Sequence, residues 1–168
     1  MKKPHILVVY YSYSGTTQNI ARQIAKSLDA DIKRIRPLYA YPDNRPELLK
    51  VSKEEINSCR FPALQPLEKD LKKYDVIIVG SPNWYSTIAP PLATFLRIND
   101  FNNKLIAPFI THGGGEFGHC IEDIYHHLPS GQLLEGMAVY REKVNLSSSK
   151  IEKWLIKIGL KENIWEER

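Results

Sequence analysis

Five short apolar runs alternate along the chain with segments whose apolar residues recur at the spacing of a helix. We predict a strand at each run, at residues 5–11, 32–36, 75–80, 105–111 and 137–140. Strands that alternate with helices in this way are typical of a parallel α/β sheet. The first and third runs contain ILVVY and VIIVG, apolar at nearly every position, which predicts strands covered by helices on both faces.

The helical segments between these strands are amphipathic. The first carries an apolar stripe made by Ile20, Ala21, Ile24, Ala25 and Leu28. Another is expected to begin at Pro90 and Pro91 and to reach about Arg97, because proline suits the first turn of a helix. The last is expected to take Ser147 as its N-cap and to end at Gly159.

Residues 37–66 interrupt this pattern after the second strand. They contain five prolines, which disfavours long regular structure but is compatible with a short helix near residues 47–57. A loop of this length is often functional, and a surface elaboration is an equally good interpretation. We therefore expect a single domain over residues 1–168, with a proline-rich insert at 37–66.

Length and composition agree with one globular domain. The chain has 168 residues, of which 43% are hydrophobic and 25% charged, enough to bury an ordinary core. Lys2 and Lys3 precede an apolar run, but it stops at Tyr11 without a cleavage site, so we expect no export signal. Cys59 and Cys120 cannot make the disulfide framework of a secreted domain. We expect a cytoplasmic protein that does not enter a membrane.

The net charge of +4 is unevenly distributed. Residues 1–36 hold seven basic side chains against two acidic ones. A basic end can attract acidic partners. No nucleic-acid-binding motif accompanies these charges, so we interpret them as solvated surface and expect no nucleic-acid partner.

The segments after strands one, three and four are expected to carry the function, because ligands of open parallel sheets bind at the carboxyl ends of the strands. The first segment is Ser12-Tyr13-Ser14-Gly15-Thr16-Thr17, which leads directly into a helix. Free backbone N–H groups at a helix N-terminus favour an anion, the hydroxyls can donate to it, and Gly15 permits the tight turn. There is neither a Walker sequence nor the spaced glycines of a dinucleotide fold. The loop predicts a terminal phosphate held by neutral donors.

The other two segments favour a flat ligand. After strand three comes Ser81-Pro82-Asn83-Trp84-Tyr85-Ser86, where two large aromatics lie outside any core stripe and could stack on a planar ring. After strand four comes Thr111-His112-Gly113-Gly114-Gly115, whose glycines allow the backbone to approach a ligand closely. Together the three segments predict one site for a planar, phosphorylated molecule.

In this order the three loops resemble those of the flavodoxin family over nearly the whole chain. The strings GSPNWYSTIAPPLATFL and IAPFITHGGGEFG are most similar to a bacterial subgroup with a proline-rich insert after strand two. The resemblance implies a three-layer α/β sandwich whose five-stranded parallel sheet has the order 2-1-3-4-5, in the short-chain form. It also implies bound FMN, with its phosphate at residues 12–17 and its ring between the two later loops.

Two function classes follow from the resemblance. The first is an FMN-binding electron carrier that serves redox partner proteins. The alternative is an FMN-dependent NAD(P)H:quinone oxidoreductase with small quinone-like acceptors, because His112-Gly113-Gly114-Gly115-Glu116 is also similar to a loop of that flavodoxin-like family. The insert could then form a wall of the substrate pocket. A flavin-binding interaction module without turnover is a third, more distant class.

Three features depart from the family pattern. Electron-carrying flavodoxins are typically strongly acidic, whereas this chain is basic. The second flavin loop lacks the tyrosine that many members stack on the outer ring face, for which Phe117 or His112 could substitute. The stretch Trp84-Tyr85-Ser86 has no glycine, so a left-handed backbone there is expected to cost about 1–3 kcal/mol.

Other chemistry is not indicated. A phosphoacceptor receiver domain would need acidic residues after strand one to hold magnesium, and Tyr10-Tyr11-Ser12 stands there. The polar residues His119, Asp123, His126 and His127 share one face of an expected helix, opposite its apolar residues, which favours a solvated face over a metal site. Cys59 has no evident base beside it, and Cys120 falls on the core face of the expected helix, so we expect no catalytic thiol. We predict no catalytic residue and no metal.

Overall fold

The computed structural model describes residues 2–163, which form a mainly parallel sheet between two layers of helices. The strands are β1 (Ile6–Tyr10), β2 (Asp31–Arg34), β3 (Val76–Trp84), β4 (Thr87–Ile88), β5 (Leu105–His112), β6 (Gln132–Leu133) and β7 (Met137–Tyr140). The helices are α1 (Thr16–Leu28), α2 (Arg45–Asn57), α3 (Pro90–Ile98), α4 (Cys120–His127) and α5 (Ser148–Lys157). Two short 3-10 helices lie at Leu71–Lys73 and Arg141–Leu146.

The parallel strands run in the order β2-β1-β3-β5, and β6 and β7 share the fifth position beside β5. This confirms the expected order 2-1-3-4-5. Residues 134–136 alone separate β6 from β7, so the interruption of the fifth strand is short. No helix among residues 2–163 is long and apolar enough to cross a membrane.

Both faces of the sheet are buried, which explains the continuous apolar runs. Leu7 and Val9 of β1 pack towards α3 and α4, whereas Val8 and Tyr10 pack towards α1 and α5. Successive side chains of a strand point to opposite faces, so a strand covered on both sides must be apolar throughout. Gly80 in β3 leaves the space that the ring of Phe109 fills on the neighbouring strand.

The structure corrects several predicted boundaries. Strand β3 continues four residues beyond Gly80, so Trp84 ends a strand instead of lying in a loop. It pairs antiparallel with β4, which the sequence did not predict because two residues show no periodicity. Ser147 does precede α5, but its hydroxyl donates to the carbonyl of Lys143 and does not cap the helix.

The insert after strand two is a closed excursion of the chain. Pro37 and Leu64 form an antiparallel bridge, and the amide of Gln65 donates to the carbonyl of Arg36 at 2.8 Å. Between these ends lies α2, which begins two residues earlier than expected and, at 13 residues, is as long as α1 and not the short helix that was predicted. The Asn44 side chain caps it by accepting from the amide of Glu47. The excursion returns α2 to the carboxyl edge of the sheet.

Candidate functional site

The first loop opens onto an uncapped helix N-terminus. Gly15, with φ 95°, precedes α1, and no side chain caps the helix or places a carboxylate in its first turn. The first N–H groups of the helix therefore face outwards without an intrahelical acceptor, an arrangement that attracts an anion. The hydroxyls of Ser14 and Thr16 stand beside them, with their oxygens 3.3 Å apart.

Two residues of this loop hold its shape. Ser12 is buried, its hydroxyl accepts from the amide of Gly15 at 3.2 Å, and its carbonyl accepts from the Arg34 guanidinium at 2.6 Å. Thr17 is also buried, and its hydroxyl lies 2.8 Å from that of Thr111 at the end of β5. The contact between the two threonines ties the first loop to the third.

The second loop is a hairpin between β3 and β4. Its two turn residues, Tyr85 and Ser86, have φ values of 54° and 70°, so two residues other than glycine already adopt the left-handed conformation that the sequence predicted to be costly. Two contacts with the segment after β5 fix the hairpin. The side-chain amide of Asn83 donates to the carbonyl of Glu116 at 3.0 Å, and the amide of His119 donates to the carbonyl of Ser86 at 2.6 Å.

Trp84 is half-buried and packs edge-on against three tyrosines. Its ring lies 5.5 Å from Tyr11, 5.4 Å from Tyr41 and 6.3 Å from Tyr13, with interplanar angles between 72° and 84°. Burial raises the pKa of the Tyr11 hydroxyl, and burial together with the hydrogen bond to Glu55 raises that of Tyr41. The hydroxyls of Tyr11 and Tyr41 are therefore uncharged at neutral pH.

The third loop is organised by His112. Its side chain is 3% exposed, Nδ1 accepts from the amide of Gly114 at 3.0 Å, and Nε2 lies 3.4 Å from a carboxylate oxygen of Glu116. A ring nitrogen that accepts a hydrogen bond carries no proton, so the neutral ring has its proton on Nε2. Of the two aromatics suggested for the outer ring face, His112 lines the cleft described next, and Phe117 packs against the core.

The three loops surround one cleft of about 440 Å³ at the carboxyl edge of the sheet. Eleven of the predicted site residues line it: Tyr13, Ser14, Thr16, Thr17, Pro82, Asn83, Trp84, Tyr85, Thr111, His112 and Gly113. The other five, Ser12, Gly15, Ser86, Gly114 and Gly115, shape the backbone of the loops beside it. The prediction thus identified three of the cleft's walls.

Six lining residues were not predicted. Five belong to the insert: Asp43, Arg45, Leu48, Leu49 and Ser52. The sixth, Arg141, directly follows β7 and reaches to 3.5 Å from where a β-carbon of Gly113 would stand. The rule that points to the ends of parallel strands could have found Arg141, because it follows the fifth strand.

The insert is fastened to the other loops by two tyrosine hydroxyls. Tyr13 donates to the carbonyl of Pro42 at 2.8 Å, and Tyr85 donates to the carbonyl of Leu49 at 3.1 Å. Two residues predicted to touch the ligand therefore also hold the opposite wall. Among residues 2–163 there is no group of three or more histidine, cysteine, aspartate or glutamate side chains that could hold a metal ion.

These features suit a planar ligand with a terminal phosphate. The α1 N-terminus offers hydrogen-bond donors without a competing carboxylate, the Trp84 cluster offers an uncharged aromatic wall, and Gly113 lets the backbone come close. Arg45 and Arg141 add two cations at the rim, against the single acid Asp43. The cleft therefore favours an anionic molecule.

Comparison with known proteins agrees with this geometry. The family model described as flavodoxin matches residues 5–158. Over 162 residues the chain is 28% identical to an NAD(P)H dehydrogenase (quinone) of Azorhizobium caulinodans, which covers 87% of the chain and 76% of that protein. Several other curated relatives match over less than half of their own length.

Two solved structures share the fold. A Bacteroides eggerthii DSM 20697 protein, provisionally named a flavoprotein, is 25% identical, with a TM-score of 0.82 over 94% of this chain and 99% of that one. A flavoprotein of Lactobacillus acidophilus NCFM, solved in complex with FMN, is 24% identical, with a TM-score of 0.72 over 90% of this chain and 98% of that one.

Proposed function

Since the chain belongs to the flavodoxin family, we propose that it binds FMN non-covalently in the cleft and carries electrons between redox partners. One observation carries the proposal: the uncapped N-terminus of α1, the Trp84 cluster and Gly113 all open into the same cleft. The structural likeness to a Lactobacillus acidophilus flavoprotein in complex with FMN supports it. When bound, FMN supplies a ring that takes up and releases electrons.

Different residues would bind the phosphate and the ring of FMN. Ser14, Thr16 and Thr17, with the first N–H groups of α1, would hold the phosphate through neutral donors. Trp84 would cover one face of the ring, and the backbone of Gly113 would approach its polar edge. A cleft that opens to the surface would leave the ring accessible to a second protein, which supports the carrier function.

The phosphate loop gives the sharpest test. The apoprotein is titrated with FMN and with riboflavin, which differ by the phosphate alone. Each lost charge-assisted hydrogen bond is worth about 1.5–3 kcal/mol, so we expect FMN to bind at least about a hundredfold more tightly. The variant Thr16→Val should narrow this difference, and Ser58→Ala, an exposed hydroxyl outside the cleft, should not. Equal affinities for the two flavins would contradict the assignment.

Trp84 gives a second test of the same site. Flavin fluorescence should be quenched on binding, and Trp84→Phe should retain most of the affinity, because a phenyl ring can still stack on the flavin. Trp84→Ala should weaken FMN by about 0.5–1.5 kcal/mol beyond the loss of contact area. Trp154→Phe serves as control, because that indole is buried on the opposite face of the sheet. Unchanged affinity and quenching in Trp84→Ala would place the stacking residue elsewhere.

An NAD(P)H:quinone oxidoreductase is the second candidate. The wall supplied by Leu48, Leu49 and Arg45 makes the cleft deeper than the three loops alone would, and so favours a small substrate beside the flavin. The similarity to the Azorhizobium caulinodans protein supports it. Steady-state NADPH oxidation with benzoquinone separates the two candidate functions, because a carrier alone should be almost inert.

The thiols, Cys59 and Cys120, are both free, which supports a cytoplasmic setting for either function.

A further inference from the structure

A second cavity, the lysine groove, adjoins the cleft on the far side of His112. Its volume is about 740 Å³, and His112 lines both cavities. The groove runs between the third loop, the segment after β7 and the start of α5. The residues that line it include Glu116, Val139, Tyr140, Lys143, Leu146, Lys150 and Lys153.

The charge of the groove is positive and uncompensated. Within the described chain no carboxylate pairs with Lys143, Lys150 or Lys153, whereas four other lysines each form an ion pair. The one acid of the groove, Glu116, faces the ring of His112 at 3.4 Å. Three ammonium groups are therefore free to meet an acidic surface.

Apolar surface lies between these charges. Leu146 is 82% exposed, and the groove is also lined by the half-buried Tyr140 and by the edge of Val139, which is otherwise buried. An exposed apolar residue surrounded by charges of one sign is the composition of a docking surface that is steered electrostatically and then held by contact. A small anion would use the lysines but would leave Leu146 uncovered.

We propose that the lysine groove is the docking surface for the acidic face of a redox partner protein. This rests on the proposed carrier function. A partner seated on Lys143, Lys150 and Lys153 lies one side chain, His112, away from the cleft, close enough for electrons to pass to and from a ring held there.

The test compares two acceptors with the same haem and opposite surface charge, native cytochrome c, which is basic, and succinylated cytochrome c, which is acidic. Dithionite-reduced holoprotein gives one electron to each haem iron, taking Fe(III) to Fe(II). At low ionic strength we expect the succinylated form to react at least about tenfold faster, and added salt to remove the advantage. Calorimetry with the flavin-free protein should show the same preference in binding.

Two triple variants with equal changes in net charge decide where the preference resides. The groove variant, which carries Lys143→Glu, Lys150→Glu and Lys153→Glu, should abolish or reverse the preference for succinylated cytochrome c. The control variant carries Lys3→Glu, Lys72→Glu and Lys73→Glu, at three exposed lysines near the opposite edge of the sheet. It should retain the preference for succinylated cytochrome c. Both should bind FMN like the parent chain, because none of these lysines lines the cleft.

Several results would overturn the proposal. The parent chain could react with native cytochrome c as fast as, or faster than, with the succinylated form. The two triple variants could lose the preference for the succinylated form equally, or the groove variant could retain it. A groove variant that raises only the KM for NADPH would assign the lysines to a phosphorylated nucleotide instead. A chain that binds no FMN refutes the carrier function, and the calorimetric comparison then decides the docking surface by itself.

Discussion

The two sides of the cleft are built by different means. The sheet side continues directly from β3 and β5, whose residues are buried on both faces, and it is cross-linked by the Thr17–Thr111 and Asn83–Glu116 contacts. The insert side is α2, which buries only Leu48 and Ser52 and is held through a few side-chain hydrogen bonds. The first side takes its geometry from the core. We expect the second to open or change with little effect on the fold.

The largest expected difference between the two sides is in the chemical reactivity of their cysteine thiols. Cys120 begins α4 behind the third loop and is fully buried, and burial raises its pKa to about 12. Cys59 is exposed just after α2. Because the thiolate is the reacting form, Cys120 should react with Ellman's reagent roughly a thousandfold more slowly than an ordinary thiol, and Cys59 should react at once. The variant Cys59→Ser should leave a single slow phase, and two equally fast thiols would contradict the burial of α4.

Truncations on the two sides should differ in stability. Ile110→Ala removes a fully buried side chain of β5 and should lower the free energy of unfolding by about 2–5 kcal/mol. Leu48→Ala removes the one buried leucine of α2, and we expect a loss below about 2 kcal/mol, because the helix can open locally instead. Urea denaturation measures both. An equal loss would mean that the insert folds as part of the core.

The tyrosine hydroxyls that fasten the insert sharpen the comparison further. Tyr13→Phe and Tyr85→Phe each remove one tether, and each should ease the opening of α2 by about 0.5–1.5 kcal/mol. Hydrogen exchange should accelerate in residues 45–57 and stay unchanged in β5. Tyr125→Phe, at an exposed hydroxyl on α4, is the matched control. Faster exchange throughout the sheet would show that the tethers support the whole fold.

The sequence predicted the sheet side of the cleft and missed most of the insert side, for a physical reason. Apolar runs such as ILVVY identify buried strands, and the ends of parallel strands meet at one edge, so residues 12–17, 82–85 and 111–113 follow from the pattern. No such pattern locates Arg45 or Leu49, because their positions depend on how the irregular insert folds back against the sheet. The left-handed Tyr85 and Ser86 were also not predictable, since the hairpin contacts that stabilise them are made by distant residues.

The smallest expected effect concerns the carboxyl of Glu55 beneath the aromatic cluster. Burial raises its pKa above the ordinary value of 4.5, although the Tyr41 hydroxyl, which donates to it at 2.5 Å, and Arg60 act in the opposite direction. The folded chain therefore holds this proton more tightly than the unfolded chain does. The resulting stability is fully present below pH 4.5 and is lost as the pH rises through the raised value in the folded state.

Glu55→Gln tests this directly, because glutamine cannot ionise but still accepts from Tyr41. We expect the thermal stability of the parent chain, compared with that of the variant, to fall as the pH rises from about 4.5 towards neutrality. Glu54→Gln, at an exposed neighbour on the same helix, should reproduce the parent profile. A difference between the parent chain and Glu55→Gln that stays constant over this range would mean that the carboxyl titrates alike in both states. The insert would then be open to water around Glu55. It would be held to the rest of the fold even less firmly than the Tyr41–Glu55 contact implies, and so would differ more from the sheet side of the cleft.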